Sequence, residues 1–227
     1  MAALKWDETG DRKFETGTKK GVLFVADPTQ TNGYATGVAW NGLTAVTESN
    51  SGAEETALWA DDIKYASLRS AEEFGATIEA YQCPPEFYQC DGSANLVPGV
   101  IVNLQGRKSF AFSYVTTIGN DVLGNDYGYK IHIIYGATAS PSERAYQTIN
   151  DSPDAITLSW EVTTQPTNIE IDGTTLKPTA HLIIDSTQFT TEAQKAKLTA
   201  FEAYLYGSSS GSSTLPLPSE VASMLTV

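Results

Sequence analysis

Three features of the sequence predict a mainly β, antiparallel protein with one flanking α-helix. Residues 154–166, DAITLSWEVTTQP, alternate strictly between apolar and polar side chains, as in a strand with one buried face. Only residues 190–207 have clear helical spacing. Eight segments are rich in β-branched and aromatic residues and are separated by Gly, Asn, Asp and Pro: 20–27, 37–48, 71–82, 99–105, 108–117, 127–137, 155–164 and 179–186.

Residues 47–69 interrupt this series of strands. The first third is acidic, and the rest has large apolar side chains without the period of a helix or a strand: Leu58, Trp59, Ile63, Tyr65 and Leu68. About 20 residues is long for a connection in a compact domain, and such connections are usually functional or ordered by a partner. We therefore expect a long loop with a role of its own.

Residues 117–128 are expected to form the tight end of a hairpin, because their Gly and Asn residues tolerate positive φ.

The strand predicted at 155–164 has two different faces. On one face of the strand lie Ile156, Leu158, Trp160 and Val162, and on the other Thr157, Ser159, Glu161 and Thr163. The apolar row should pack inside the protein. The polar row could face solvent, a ligand or a space that the protein encloses.

The helix at 190–207 has start and stop signals. Thr191 and Gln194 form a capping-box pattern, and Gly207 is a natural C-cap. The apolar stripe that should pack on the sheet consists of Leu198, Phe201, Tyr204 and Leu205. We therefore assign residues 1–207 to one domain.

Residues 208–227 contain a Ser/Gly linker followed by a short amphipathic tail. The tail has too many apolar groups to stay in water: Leu215, Leu217, Val221, Met224 and Leu225. It should dock either on its own subunit or on a neighbouring one.

The charge and hydropathy of the chain restrict its partners. The formal net charge is −13, and no run approaches the length of a membrane helix. We expect a soluble protein without membrane insertion. A protein this acidic is not expected to grip a phosphate backbone, which needs clustered Lys and Arg.

The sequence predicts no catalytic, cofactor or metal site. Residues 207–211, GSSSG, match a nucleophile elbow, but a helix precedes them where a strand is needed. Cys83 and Cys90 are expected to be reduced thiols, with a disulfide as the next alternative. The only histidines, His132 and His181, are remote from them in sequence, and each is expected to be an ordinary strand residue. We therefore expect no enzyme activity.

Several long stretches of the chain resemble the major tail proteins of long, non-contractile tailed bacteriophages. They are ALKWDETGDRKFETGTKKGVLFV (3–25), SPSERAYQTINDSPDAITLSWEVTT (140–164), LTAFEAYLYG (198–207) and the whole of 37–81. The resemblance covers roughly residues 3 to 207. Two features depart from the family: Cys83 and Cys90 belong to no chemistry known for it, and residues 208–227 are specific to this chain.

The resemblance implies a structural subunit without catalytic residues. Its fold would be a β-sandwich flanked by a helix, and six copies would form a ring in which the inner sheets join into one barrel. Stacked rings would form a tube that conducts the viral genome without binding it. The protein would be assembled in the host cytoplasm and reside in the virion, with tape measure, tail terminator and distal tail proteins as partners.

The dimensions and charge of such a ring are compatible with DNA passage. Four strands from each of six subunits would give a barrel about 48 Å across, wider than a DNA duplex of roughly 20 Å. Six copies at −13 each would carry a charge of −78 and would repel phosphates. The polar row of the strand at 155–164 would then face either the bore or the outer surface.

The resemblance also gives a role to two segments. Residues 47–69 would reach the neighbouring ring, with Trp59 and Tyr65 as anchors. The acidic residues there would pair with Lys or Arg across the interface: Glu54, Glu55, Asp61 and Asp62. Alternatively, this loop folds back on its own sheet. Residues 1–20, with Trp6 and Phe14 amid charges, would form an arm that is ordered on assembly.

A different class of function is a carbohydrate- or receptor-binding β-sandwich. The sequence has 11 Tyr and 4 Trp, and aromatic rings are suited to such surfaces. This alternative predicts exposed aromatic side chains clustered at one end of a sheet.

Overall fold

The computed structural model describes residues 3–142, 144–149, 154–171, 174–209 and 211–226. The chain is mainly β, with 48% of residues in strands. The strands are β1 (Lys13–Val25), β2 (Val38–Trp40), β3 (Leu43–Glu48), β4 (Ser51–Gly52), β5 (Glu55–Ala60), β6 (Ile63–Arg69), β7 (Glu72–Glu73), β8 (Gly75–Ala80), β9 (Ala94–Val97), β10 (Val100–Val102), β11 (Phe110–Asn120), β12 (Gly124–Ala139), β13 (Leu158–Thr164), β14 (Thr167–Ile171), β15 (Thr174–Thr179) and β16 (His181–Asp185). The α-helices are α1 (Tyr88–Asp91), α2 (Glu192–Tyr206) and α3 (Pro218–Leu225).

Eight of these strands form one antiparallel sheet. Its order is β2-β1-β11-β12-β13-β8-β3, and β16 also pairs with β12. Each of the eight predicted segments contains a strand, and only 99–105 lies outside this sheet, as β10 in a hairpin with β9. Over the described ranges the path does not close into a barrel, because β2 and β3 remain its two ends.

The long strand β12 changes partners at Gly136. On one edge β12 pairs with β11 as far as Ala137, whereas on the other edge it pairs with β16 up to Ile134 and with β13 from Ala137 onward. Gly136 has a φ of 59°, and an added Cβ would lie 2.3 Å from the carbonyl oxygen of Gln165. Only glycine adopts this conformation without strain and also permits so close a contact. Because of this change of partner, β13, β8 and β3 turn back and pack against β1, β2 and β11.

The first core lies between the folded-over strands and the rest of the sheet. Trp160 of β13 packs against Trp40 of β2, with ring centroids 5.4 Å apart, and Phe87 contacts both rings. Trp160 and Val162 are buried, as the alternation predicted. Ile156, which was predicted to lie with them, precedes the start of β13 and is exposed.

A second core lies on the opposite face of β1, β11 and β12, where α2 packs. The buried residues of α2 are Leu198, Phe201 and Leu205, and the fourth residue of the predicted stripe, Tyr204, is half-buried. The predicted capping box is present, since the Thr191 hydroxyl accepts from the Gln194 N–H. Because β1 separates the two cores, Val22 and Phe24 face α2 while Leu23 and Val25 face the first core.

The C-terminal tail docks on its own subunit. Leu215 and Val221 are buried in the second core, and the Tyr135 hydroxyl donates a 2.9 Å hydrogen bond to the Pro216 carbonyl. Part of the tail forms α3, so this helix and the four-residue α1 add to the single helix predicted from the sequence.

The structure confirms the predicted hairpin end but shortens the predicted N-terminal arm. The hairpin end at 117–128 is confirmed, with Asn120 accepting from the Leu123 N–H in the turn between β11 and β12. The predicted arm at 1–20 is too long, because β1 pairs with β11 from Lys13 onward. In the described part of the chain no helix is long and apolar enough to cross a membrane.

Candidate interaction surface

Residues 55–69 form a two-stranded ribbon, where the sequence predicted an irregular loop. β5 pairs with β6 from Glu55↔Arg69 to Ala60↔Ile63. The strands are joined by Asp61 and Asp62, which have φ values of 51° and 60°. Positive φ at both central residues is what a tight type I′ hairpin turn requires, and Asp tolerates it better than most residues. We call residues 55–69 the ribbon.

The pairing of β5 with β6 places apolar side chains on one face of the ribbon. This apolar face consists of Thr56, Leu58, Ala60, Ile63, Ala66 and Leu68. Leu58, Ile63 and Leu68 remain 41%, 61% and 57% exposed. Three large aliphatic side chains in water on one face are unusual unless something covers them.

The opposite face of the ribbon holds Trp59 and Ala57 among polar side chains, some of which are paired within the chain. Lys64 forms an ion pair with Glu55, and the Ser67 hydroxyl donates to the same carboxylate at 2.6 Å. These hydrogen bonds lower the pKa of Glu55. Glu55 thus already has a cation in its own subunit, in contrast to the prediction that it would seek one across an interface.

The remaining predicted interface residues lie on or beside the ribbon and are exposed. Trp59 and Tyr65 are 69% and 72% exposed. Asp61 and Asp62 occupy the tip, and Glu54 precedes β5 at the base, where its N–H bonds to the Ser70 hydroxyl at 3.0 Å. All these side chains are therefore free of the core and accessible to a partner.

The polar row predicted on β13 faces away from the core. Thr157, Glu161 and Thr163 are exposed and Ser159 is half-buried. In the pairing of β13 with β8, Glu161 lies opposite Thr77 and Ser159 opposite Glu79. The three neighbouring strands β3, β8 and β13 contain no Lys or Arg. Of their three glutamates, Glu79 and Glu161 lie on the outer face, whereas Glu48 pairs with the buried Ala76. These strands therefore place no cationic side chain on the outer face with which to pair a phosphate.

The structure brings together the only two histidines of the sequence. His132 on β12 pairs with Ile183 of β16, so His181, two residues away on the same face, is its diagonal neighbour. The His132 Nδ1 and His181 Nε2 atoms are 3.3 Å apart. Glu48, at the end of β3, places its Oε1 3.5 Å from His132 Nδ1 and 3.6 Å from His181 Nε2. We call these three residues the histidine cluster.

Neighbouring side chains hold the histidine cluster in place. The Tyr114 hydroxyl donates to Glu48 Oε1 at 2.8 Å, and the Tyr114 ring stacks on His132 with centroids 4.5 Å apart. Burial, with this hydrogen bond, raises the pKa of Tyr114. Burial also lowers the pKa values of His132 and His181.

Sequence reasoning missed the histidine cluster because its members are far apart in the chain. His132 and His181 are 49 residues apart, and Glu48 is contributed by the folded-over side of the sheet. A metal-binding motif is recognised from short spacings, and none joins these residues. The only local signal was the presence of each residue on a predicted strand.

Cys83 and Cys90 are free thiols, as expected for reduced cysteines. Burial raises the pKa of Cys83 to about 11 and that of Cys90 to about 12. Such thiols are weak nucleophiles and weak metal ligands at neutral pH. They form part of the core and not of a reactive site.

Comparison with models of known protein families and with curated proteins finds no match for this chain.

Proposed function

We propose that this chain is the structural subunit of a self-assembling hollow tube, of the type that forms the tail of a long-tailed bacteriophage. In this proposal six copies form a ring, rings stack, and the genome passes through the bore. The observation that carries the proposal is the ribbon, which extends its apolar face into solvent. The sequence resemblance to major tail proteins gives the kind of assembly.

The ribbon supports self-assembly because its apolar face stays exposed in the described subunit. An isolated two-stranded ribbon is marginal in water, and its stability depends on packing against something else. Fully burying an aliphatic side chain contributes about 1.5–3 kcal/mol. Covering the exposed portions of Leu58, Ile63 and Leu68 would thus contribute roughly 2–5 kcal/mol for each covered ribbon. The occupant we propose is a second copy of this chain.

Two further features fit a tube. The sheet ends at β2 and β3 are unpaired in the described subunit, so a neighbour could extend the sheet at either edge. The cation-free outer face of β3, β8 and β13 would make a suitable wall for the bore, because it repels phosphates. We place Thr157, Ser159, Glu161 and Thr163 on that wall.

Electron microscopy of the purified chain at increasing concentration tests the proposal. We expect annuli with sixfold symmetry at moderate concentration and tubes at high concentration, because ring closure and stacking follow mass action. A chain that remains a monomer in sedimentation up to millimolar concentration would refute the proposal. A small oligomer that binds glycans would instead favour the carbohydrate-binding alternative.

A further inference from the structure

The histidine cluster has the shape of a metal site. Its three donor atoms, His132 Nδ1, His181 Nε2 and Glu48 Oε1, form a triangle with sides of 3.3, 3.5 and 3.6 Å. The circle through the corners of such a triangle has a radius of about 2.0 Å, which is close to the zinc–imidazole and zinc–carboxylate distances of about 2.0–2.2 Å. A cation at or slightly above the centre would touch all three donors.

We propose that Glu48, His132 and His181 bind a zinc ion, with water as the fourth ligand. Two imidazoles and one carboxylate suit zinc and other first-row divalent cations, whereas calcium and magnesium prefer oxygen donors. His181 borders an open cleft of about 790 Å³. In this proposal the ion enters the cluster from the cleft, past His181.

A hydrogen-bond chain presents the correct nitrogen of His132 to the ion. Thr116 Oγ1 lies 2.5 Å from a Glu15 oxygen and 3.1 Å from His132 Nε2. Because a carboxylate only accepts, Thr116 donates its one proton to Glu15 and must accept from His132 Nε2–H. His132 therefore has its lone pair on Nδ1, which accepts from His181 Nε2–H in the metal-free chain. Zinc would take the place of that proton, and His181 would then carry its proton on Nδ1. Metal-bound histidines usually have this kind of outer support.

The other two ligands are also held by neighbours. The ring of His181 packs on Phe74, with centroids 4.4 Å apart, and Glu48 accepts the hydroxyl of Tyr114. Among the nearby charges, Lys130 neutralises Glu15 through a 2.5 Å ion pair. Glu48 thus leaves the cluster with a net negative charge, which attracts a divalent cation.

Zinc bound here would join distant parts of the fold. It would connect the end of β3, just before the base of the ribbon, to β12 and β16 on the other side of the sheet. Zinc bound there would stabilise the fold, because a ligand that binds only the folded state adds stability that rises with the logarithm of its concentration. This proposal does not depend on the proposed tube.

Zinc titration of the metal-free full chain, monitored by competition with a chromophoric chelator, tests the proposal. We expect one ion per chain with a micromolar or lower dissociation constant. Glu48→Gln and His181→Ala should each weaken binding at least about 100-fold, and Thr116→Val about 10–100-fold. The matched control, Glu79→Gln, removes a glutamate outside the cluster and should bind as the parent does.

Two spectroscopic measurements on the parent chain show whether the histidines bind the ion and whether a thiol does. Neither depends on a variant that could misfold. The parent chain has two histidines, so NMR signals of both imidazoles should shift on adding zinc. Cobalt in place of zinc should give the visible bands of a four-coordinate site without thiolate-to-cobalt absorption. Unchanged imidazole signals, or equal zinc affinity in the parent and in Glu48→Gln, would overturn the proposal.

Discussion

Leu215→Ala tests whether the C-terminal tail is part of the folded subunit. Leu215 is fully buried in the second core. Truncating a buried leucine removes its burial energy and leaves a cavity, at a cost of about 2.7–5 kcal/mol in well-packed proteins. Because the tail can relax more than a central strand, we expect a loss of about 3 kcal/mol. For a chain of this size the melting temperature should fall by about 6–12 °C.

Urea unfolding, followed by tryptophan fluorescence, measures this loss. Trp40 and Trp160 are buried in the first core, so their emission reports unfolding of the sheet and not merely release of the tail. Ser223→Ala, on the exposed side of α3, is the matched control and should change stability by less than about 0.5 kcal/mol. A loss below about 1 kcal/mol in Leu215→Ala would show that the tail does not dock on its own subunit in solution.

Three other predictions concern the sheet, the helix and the thiols. Gly136→Ala should destabilise the chain by at least about 2 kcal/mol, since the residue has positive φ and its Cβ would meet the Gln165 carbonyl; an unchanged urea midpoint would contradict the bend. Thr191→Ala removes the cap of α2 and should cost about 1 kcal/mol in the same assay, whereas no loss would mean that the cap is unformed. At pH 8, Cys83 and Cys90 should react with iodoacetamide at least about 100-fold more slowly than free cysteine, and fast alkylation of the native chain would contradict their burial.

The strands could be predicted because their signals are local. Trp160 and Val162 alternate with Glu161 and Thr163 along a few residues, and burial on one side of a sheet is enough to produce that pattern. The capping box at Thr191 is similarly contained within four residues. These features depend on neighbours in sequence, so a single sequence reveals them.

The ribbon was misread because both of its faces lie in solvent. Leu58, Ile63 and Leu68 share a face in the structure. However, Tyr65 is an extra residue of β6 opposite the step from Leu58 to Trp59, and this bulge breaks the alternation that would have identified the second strand. The turn at Asp61 and Asp62 also lacks the glycine that usually marks such a hairpin.

The histidine cluster and the docking of the tail depend on contacts between distant residues. Glu48 meets His132 only because the sheet folds over beyond Gly136, and Leu215 finds its site beside Tyr135 of β12. Neither contact leaves a short spacing in the sequence. Apolar composition indicated that the tail docks, but only the packed structure shows that its own subunit provides the surface.

The most direct test of the account is whether the apolar face of the ribbon drives assembly. The double variant Ile63→Asp with Leu68→Asp places two charges on that face, while the parent side chains are 61% and 57% exposed in the subunit and contribute little to its stability. Ala196→Asp with Ala200→Asp, on the exposed side of α2, adds the same charge elsewhere. Sedimentation velocity with electron microscopy compares the three chains at equal concentration.

We expect the ribbon variant to keep its melting temperature but to assemble at least about 100-fold less readily. Covering each of Ile63 and Leu68 contributes roughly 1–2 kcal/mol, and burying a carboxylate in its place adds a further cost. The α2 variant should form rings and tubes as the parent does. Rings and tubes that form equally well from the ribbon variant would contradict the central claim.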